Sequence, residues 1–169
     1  MRAMLALFLG LFLGGCASRH PELPTVLHVN LERYAGTWYE IARYENRFEK
    51  GCVGASATYT QEGERLRVVN RCFDAQGTQI GEAKGVAKLA SPFDTSKLKV
   101  SFFRPFYGNY WVLKLASDYR YAVIGEPSRQ YFWILAREKA LHVKDKEEIL
   151  AHMKTLGYNL EKLFWTRYP

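Results

Sequence analysis

Cysteine is scarce: three in 169 residues, an odd number that cannot all pair within one chain. The four histidines, His20, His28, His142 and His152, are scattered along the chain. No His-x-x-x-His or Cys-x-x-Cys spacing offers a metal site. Gly-x-Ser-x-Gly, phosphate-loop and dinucleotide-binding motifs are missing, so the usual sequence marks of α/β-hydrolases, NTPases and dehydrogenases are absent. Thirteen Gly and six Pro are too few for collagen or a low-complexity linker. No apolar run reaches the roughly 20 residues of a membrane-spanning helix. Nothing repeats with a period of about 20–50 residues, which excludes solenoids and propellers. Neither metal nor cofactor is expected.

What is abundant is aromatic. Rings make up 15% of the chain, within a globular balance of 48% apolar and 24% charged residues. Such a ring content suits a β-rich core or an apolar cavity. The net charge is +7, and a basic surface suits nucleic acid or anionic membrane. Arg65, Arg67 and Arg71 form a basic strand face, but no exposed aromatics stand in register with them. No nucleic-acid partner is therefore expected.

Residues 1–15 read as a targeting segment. Arg2 precedes a short apolar run, Ala3 to Gly15, as in a secretory signal peptide. The run ends in Leu13-Gly14-Gly15-Cys16, which resembles the bacterial lipobox. That resemblance implies cleavage before Cys16, lipidation of its thiol and acylation of the new amine with a chain such as palmitate. Ala17 stands where inner-membrane retention would favour Asp. The implied location is the outer membrane of a Gram-negative cell, with the body facing the periplasm. Residues 16–29 are expected to form the lipidated end and its tether, with Pro21 and Pro24 keeping it extended.

From residue 30 onward, turn signals recur at short intervals between β-branched and aromatic runs. They predict strands near 37–45, 52–61, 65–73, 79–89, 97–103, 110–116, 120–125 and 130–137. Leu98, Val100 and Phe102 alternate with Lys97, Lys99 and Ser101, and Leu66, Val68 and Asn70 with Arg65, Arg67 and Arg71. These strands have one apolar and one wet face. Strand 130–137 is apolar on both faces and needs a cover. The stretch 144–156 supplies one, with Ile149, Leu150, Met153 and Leu156 at helical spacing and Gly157 to stop it. Leu163–Trp165 is a candidate ninth strand. The fold expected is an all-β, eight-stranded antiparallel up-and-down barrel with one C-terminal helix packed outside.

Three motifs carry a family resemblance. Gly36-Thr37-Trp38-Tyr39 opens the first strand, Asp118-Tyr119-Arg120 lies at the sixth-to-seventh strand turn, and Arg137 ends the eighth strand. In this order and spacing they resemble the lipocalin signatures. Together with the lipobox they are most similar to the bacterial lipocalins related to apolipoprotein D. Gly36, Trp38 and Arg137 are expected as structural residues, with Arg137 lying on the Trp38 indole at the closed end. Cys52 starts the second strand and Cys72 ends the third. Antiparallel pairing brings them together as a disulfide in an oxidising compartment. The side-chain parity of Cys52 disagrees with that of Tyr59 and asks for a bulge at Gly51 or Gly54.

An eight-stranded barrel holds one small ligand. Alternation places Tyr59, Val68, Asn70 and Phe102 inside. The resemblance implies that Tyr110, Val112, Trp133 and Leu135 join them, which carries Lys114 inward. Glu40 shares the parity of Trp38 and is the one acid expected within the barrel, as structure or as a catalytic base. Phe102–Asn109 is expected as a mouth loop, where Phe106, Tyr107 and Arg104 serve as a lid, a membrane contact or a contact with a second copy. The function implied is a membrane-anchored lipocalin that binds, stores or transports fatty acids or lysophospholipids, with no catalysis. The alternatives are a lipocalin-fold enzyme acting on a lipid or isoprenoid, and an interaction module using its mouth loop. A homodimer stays open.

Overall fold

The computed structural model describes residues 22–169. The expected targeting segment and lipidated Cys16 lie outside the described residues. Nine strands form one antiparallel sheet in the order β2-β3-β4-β5-β6-β7-β8-β1-β9, and a β1–β2 pairing closes it into a barrel. The strands are β1 Gly36–Tyr44, β2 Gly54–Glu62, β3 Arg65–Phe73, β4 Gln79–Ser91, β5 Asp94–Phe103, β6 Phe106–Leu115, β7 Tyr121–Gly125, β8 Phe132–Ala136 and β9 Leu163–Trp165. Helix α1 (Leu31–Tyr34) precedes β1, and helix α2 (Val143–Thr155) follows β8. The expected barrel, outer helix and short ninth strand are therefore all present.

Two apolar clusters divide the chain. One fills the barrel around Trp38, Leu66, Val68, Leu98, Val112 and Ile124. The other lies between the sheet and α2, where Ile149 and Met153 meet Phe132 and Ile134. Both helix residues are 0% exposed, and burial of each contributes about 1.5–3 kcal/mol. The doubly apolar β8 is thus divided cleanly, with Trp133 and Leu135 packing on the inner cluster and Phe132, Ile134 and Ala136 on the outer one. An ion pair pins the start of α2 to the sheet: Arg120 Nη2 meets Asp145 Oδ1 at 2.6 Å.

Helix α1 was not legible as a helix, although its signal was present. The Asn30 side chain accepts from the Arg33 amide, an N-cap with Glu32 in the first turn. This single turn closes the bottom of the barrel. Part of the expected tether is packed as well: Leu23 is buried in the outer cluster, and the Val26 amide donates to the Val112 carbonyl.

The mouth loop is much shorter than Phe102–Asn109. β6 begins at Phe106, which pairs with Phe103, and Arg104-Pro105 is the whole turn. Phe106 and Tyr107 are strand residues at a hairpin tip, where Phe103 and Phe106 stack in the open. β-propensity extended β6 through Gly108-Asn109, a pair that reads locally as a turn.

Two bulges change side-chain parity. The β1–β8 register shifts between Glu40 and Ala42, so Ile41 and Ala42 both join the outer cluster. The β6–β7 register shifts between Val112 and Lys114. Leu113 therefore joins the outer cluster and Lys114 follows it, donating to Glu148 on α2 at 2.7 Å. Lys114 is not carried inward with Val112, because the extra residue reverses the alternation after it.

Candidate functional site

The closed end is built around Trp38, which is 0% exposed. Its indole Nε1 donates to the Tyr34 carbonyl at 2.8 Å, and the Arg137 guanidinium lies 3.8 Å from the ring centroid. Arg137 also donates to the carbonyls of Arg33, Ala35 and Thr37 at 2.8–3.0 Å. It thereby satisfies the end of α1, which a one-turn helix leaves without partners. Gly36 has φ +98°, and a Cβ there would stand 3.2 Å from Arg137 Nη1. Glycine is thus required both by the backbone and by the guanidinium.

Above this floor, the inner wall holds seven of the eight predicted ligand residues. Tyr59, Val68, Val112 and Leu135 are buried in the inner cluster, and Tyr110 and Trp133 pack on it half-buried. Asn70 faces inward beside Ala57 and Ala83, and its Oδ1 is buried without a hydrogen-bond partner. Phe102 is set apart: it is 44% exposed and lies against Gly85 at the rim, above a register shift between Val100 and Phe103. The Tyr110 hydroxyl bonds those of Tyr34 (2.7 Å) and Tyr59 (2.9 Å). Burial pushes all three phenols above their ordinary range, that of Tyr59 to about 12, so they stay neutral donors.

One wall feature was visible in the sequence and unread. Gly81, Ala83, Gly85 and Ala87 repeat at a period of two on β4, opposite Cys72, Asn70, Val68 and Leu66. They give the inner face a stripe of small residues beside the larger side chains of β3. Its signal was the strand alternation itself, applied to small side chains.

The disulfide is Cys52–Cys72, with Cα atoms 5.3 Å apart. The parity conflict at Cys52 dissolves because β2 begins at Gly54, so Cys52 belongs to the loop. That loop, residues 45–53, crosses the rim. Glu49 on it accepts from the Trp133 indole Nε1 at 3.0 Å and from the Asn46 amide. A hollow of about 500 Å³ opens between this loop, Arg43 and Phe164, and none of the eight predicted ligand residues lines it.

Beside the hollow lies a buried polar seam. β1 and β2 pair only from Gly36↔Tyr59 to Tyr39↔Ser56. Above that point the C-terminal segment fills the gap. β9 pairs with Ala42–Tyr44, the Thr166 amide donates to Ile41, and the Arg167 amide donates to Val53. The Tyr168 hydroxyl bridges the carbonyls of Glu40 and Ala55. The Glu40 carboxyl accepts at Oε1 from Arg43 Nη1 (2.6 Å) and Thr166 Oγ1 (2.7 Å). Burial, and then the nearby Glu49, push Glu40 well above the usual carboxylate range against the pull of Arg43. Glu40 is thus engaged in closing the barrel, and Arg43, Glu49 and Thr166 are partners that sequence reasoning missed.

The raised Glu40 has a thermodynamic consequence. Above pH ~4.3 the unfolded chain releases this proton while the folded chain keeps it. Stability contributed by Glu40 is therefore full at low pH and declines as pH rises, with a slope approaching about 1.4 kcal/mol per pH unit, until the folded group also ionises. Urea unfolding of wild type and Glu40→Gln from pH 5 to 9 measures the difference, and the variant is expected to lack this slope. Parallel profiles would show that Glu40 is not the titrating group.

A family model described as "Lipocalin-like domain" matches residues 29–168. Outer membrane lipoprotein Blc of Citrobacter freundii is 36% identical over 157 residues, covering 91% of this chain and 89% of that protein. Temperature-induced lipocalin-1 of Arabidopsis thaliana is 37% identical over 155 residues, covering 86% and 82%. Apolipoprotein D of Mus musculus is 32% identical over 169 residues, covering 91% and 82%. Among solved structures, insecticyanin from the tobacco hornworm Manduca sexta superposes with a TM-score of 0.71 at 22% identity, covering 89% and 86%, which concerns the fold alone. The motif order, the closed barrel with its Trp38–Arg137 floor and the length of these matches agree: the chain belongs to the lipocalins, binding proteins for small hydrophobic molecules.

Proposed function

We propose that this protein is a lipid-anchored lipocalin of the outer membrane that takes up the acyl chain of a fatty acid or lysophospholipid within its barrel. The observation that carries the reading is the inner wall. Tyr59, Val68, Tyr110, Val112, Trp133 and Leu135 form one continuous lining, opposite the small-residue stripe of β4. Each methylene buried there contributes about 0.8 kcal/mol, so part of a long chain suffices for useful affinity. The head group belongs at the rim, where Asn70 offers a free acceptor and Glu49 holds Trp133. Entry requires the 45–53 loop to release Trp133, and the hollow beneath that loop is the vestibule. The outer-membrane setting rests on the names of the Blc relatives and on the Leu13-Gly14-Gly15-Cys16 motif, with Cys16 as the anchor and the body in the periplasm. Glu40, engaged by Arg43 and Thr166, belongs to the barrel seam, and no turnover is assigned to it.

Native mass spectrometry of the purified protein, followed by extraction, identifies any retained lipid. A stoichiometric acyl lipid is expected, with tryptophan fluorescence quenched on titration of palmitate into delipidated protein. Trp133→Phe should remove most of the quenching, while Trp133→Ala weakens binding about tenfold. A protein that carries no lipid and binds no acyl chain rules the proposal out.

A further inference from the structure

A second recess opens at the rim between β4 and β5. β4 and β5 pair up to Val86↔Ser101 and part above that point. The opening is a cleft of about 240 Å³ lined by Arg67, Lys84, Gly85, Val86, Ser101, Phe102 and Arg104. Its floor is a row in register across three strands, Arg67 opposite Val86 and Val86 opposite Ser101. Arg67 alternates with Val68, an inner-cluster residue, so the row faces outward. Arg104 reaches the cleft from the β5–β6 turn.

Three cations and no acid line this cleft. The acids nearby are already engaged. Glu62 meets Arg67 at 2.7 Å, while Glu82 is divided between Arg71 (3.3 Å) and Lys84 (3.4 Å). Four cations, Arg67, Arg71, Lys84 and Arg104, thus stand against two acids, so positive charge is in surplus although Arg67 and Lys84 are themselves paired. At the base, Ser101 is 3% exposed and its Oγ is buried with no hydrogen-bond partner. A buried hydroxyl without a partner costs free energy, and an oxygen-rich ligand would remove that cost. The recess also depends on Gly85: a Cβ there would stand 2.6 Å from the Ser101 carbonyl and 2.7 Å from the Phe102 ring.

We propose that this outer cleft binds a phosphate group, held by Arg67, Lys84 and Arg104 with the Ser101 hydroxyl bonded to one of its oxygens. Guanidinium forks and an ammonium suit a tetrahedral oxyanion, and Ser adds a neutral donor. Phe102 beside the cations gives an apolar neighbour to whatever the phosphate carries. None of the six side chains of the acyl-chain wall lines the cleft, so it is expected to fill independently of the barrel.

The test is calorimetric titration of the detergent-solubilised full-length protein with two probes, inorganic phosphate and monomeric dihexanoyl phosphatidic acid. Saturable binding of at least one probe is expected. It should fall tenfold or more in Lys84→Glu/Arg104→Glu and several-fold in Ser101→Ala, with palmitate quenching unchanged in both variants. Equal affinity for the two probes assigns the site to free phosphate. Tenfold tighter binding of the lipid assigns it to a phospholipid head group. The proposal is overturned if neither probe binds. It is equally overturned if Lys154→Glu/Lys162→Glu, a reversal of two exposed lysines outside the cleft, weakens binding as much, because the attraction would then be general. Circular dichroism of each variant excludes misfolding as the cause of a loss.

Discussion

Trp38→Ala is expected to lower the unfolding free energy by about 3–5 kcal/mol, more than any other single substitution in the barrel. The indole is 0% exposed and packs against the tilted Tyr34 ring, centroids 4.9 Å apart, as well as under Arg137. Its removal leaves a cavity at the closed end, where α1 and the β1 strand have no slack to collapse. The loss also uncouples Arg137, whose guanidinium then bonds the α1 carbonyls without a ring beneath it. Urea denaturation followed by circular dichroism measures the change. Arg137→Lys should cost less, on the order of 1–2 kcal/mol, since an ammonium keeps the charge but loses the planar face and the fork that reaches several carbonyls. A Trp38→Ala variant within about 1 kcal/mol of wild type would mean that the floor is not the keystone of the barrel.

Loss of the disulfide is the second large effect. Cys52 and Cys72 are 20 residues apart in sequence, and closing a loop of that size contributes about 3 kcal/mol. The bridge ties the 45–53 loop to the upper end of β3, beside the Val53–Phe73 backbone bond. Cys52→Ser/Cys72→Ser is expected to melt ~10 °C lower. Dithiothreitol should shift wild type to the same temperature and leave the variant unmoved. The double variant should also release Trp133 more readily, because Glu49 loses its anchored loop; faster palmitate uptake would show this. Equal melting temperatures for wild type and variant would place the rigidity of the rim elsewhere, in the C-terminal segment.

Much of this molecule follows from local chemistry. The third strand was legible end to end, because Arg65, Arg67 and Arg71 alternate with Leu66, Val68 and Asn70 between turn signals. Helix α2 was legible to within a residue, because an apolar stripe and Gly157 agree. The Gly36, Trp38 and Arg137 floor was legible from motif spacing. The proposed targeting segment, ending at Leu13–Cys16, is a sequence reading alone and lies outside the described residues.

What escaped has a common cause: it depends on partners distant in sequence. The bulges at Glu40/Ala42 and Val112/Lys114 each insert one residue without a local signal, and one of them sends Lys114 to Glu148 instead of into the barrel. The face chosen by β8, with Trp133 and Leu135 inward, is set by where α2 docks, since both faces are equally apolar. Glu49 meets Trp133 across 84 residues, and Thr166 meets Glu40 across 126. The seam filled by Leu163–Tyr168 exists only because β1 and β2 stop pairing at Tyr39 and Ser56. The outer cleft arises where β4 and β5 part beyond Val86 and Ser101. The sequence by itself determined the barrel and its disulfide, which follow from alternation and strand order, and its floor, which follows from the resemblance of its motifs to the lipocalin signatures. Only the tertiary structure decided which polar groups were buried together at the rim, because strand register and loop path, not residue type, bring those groups into contact.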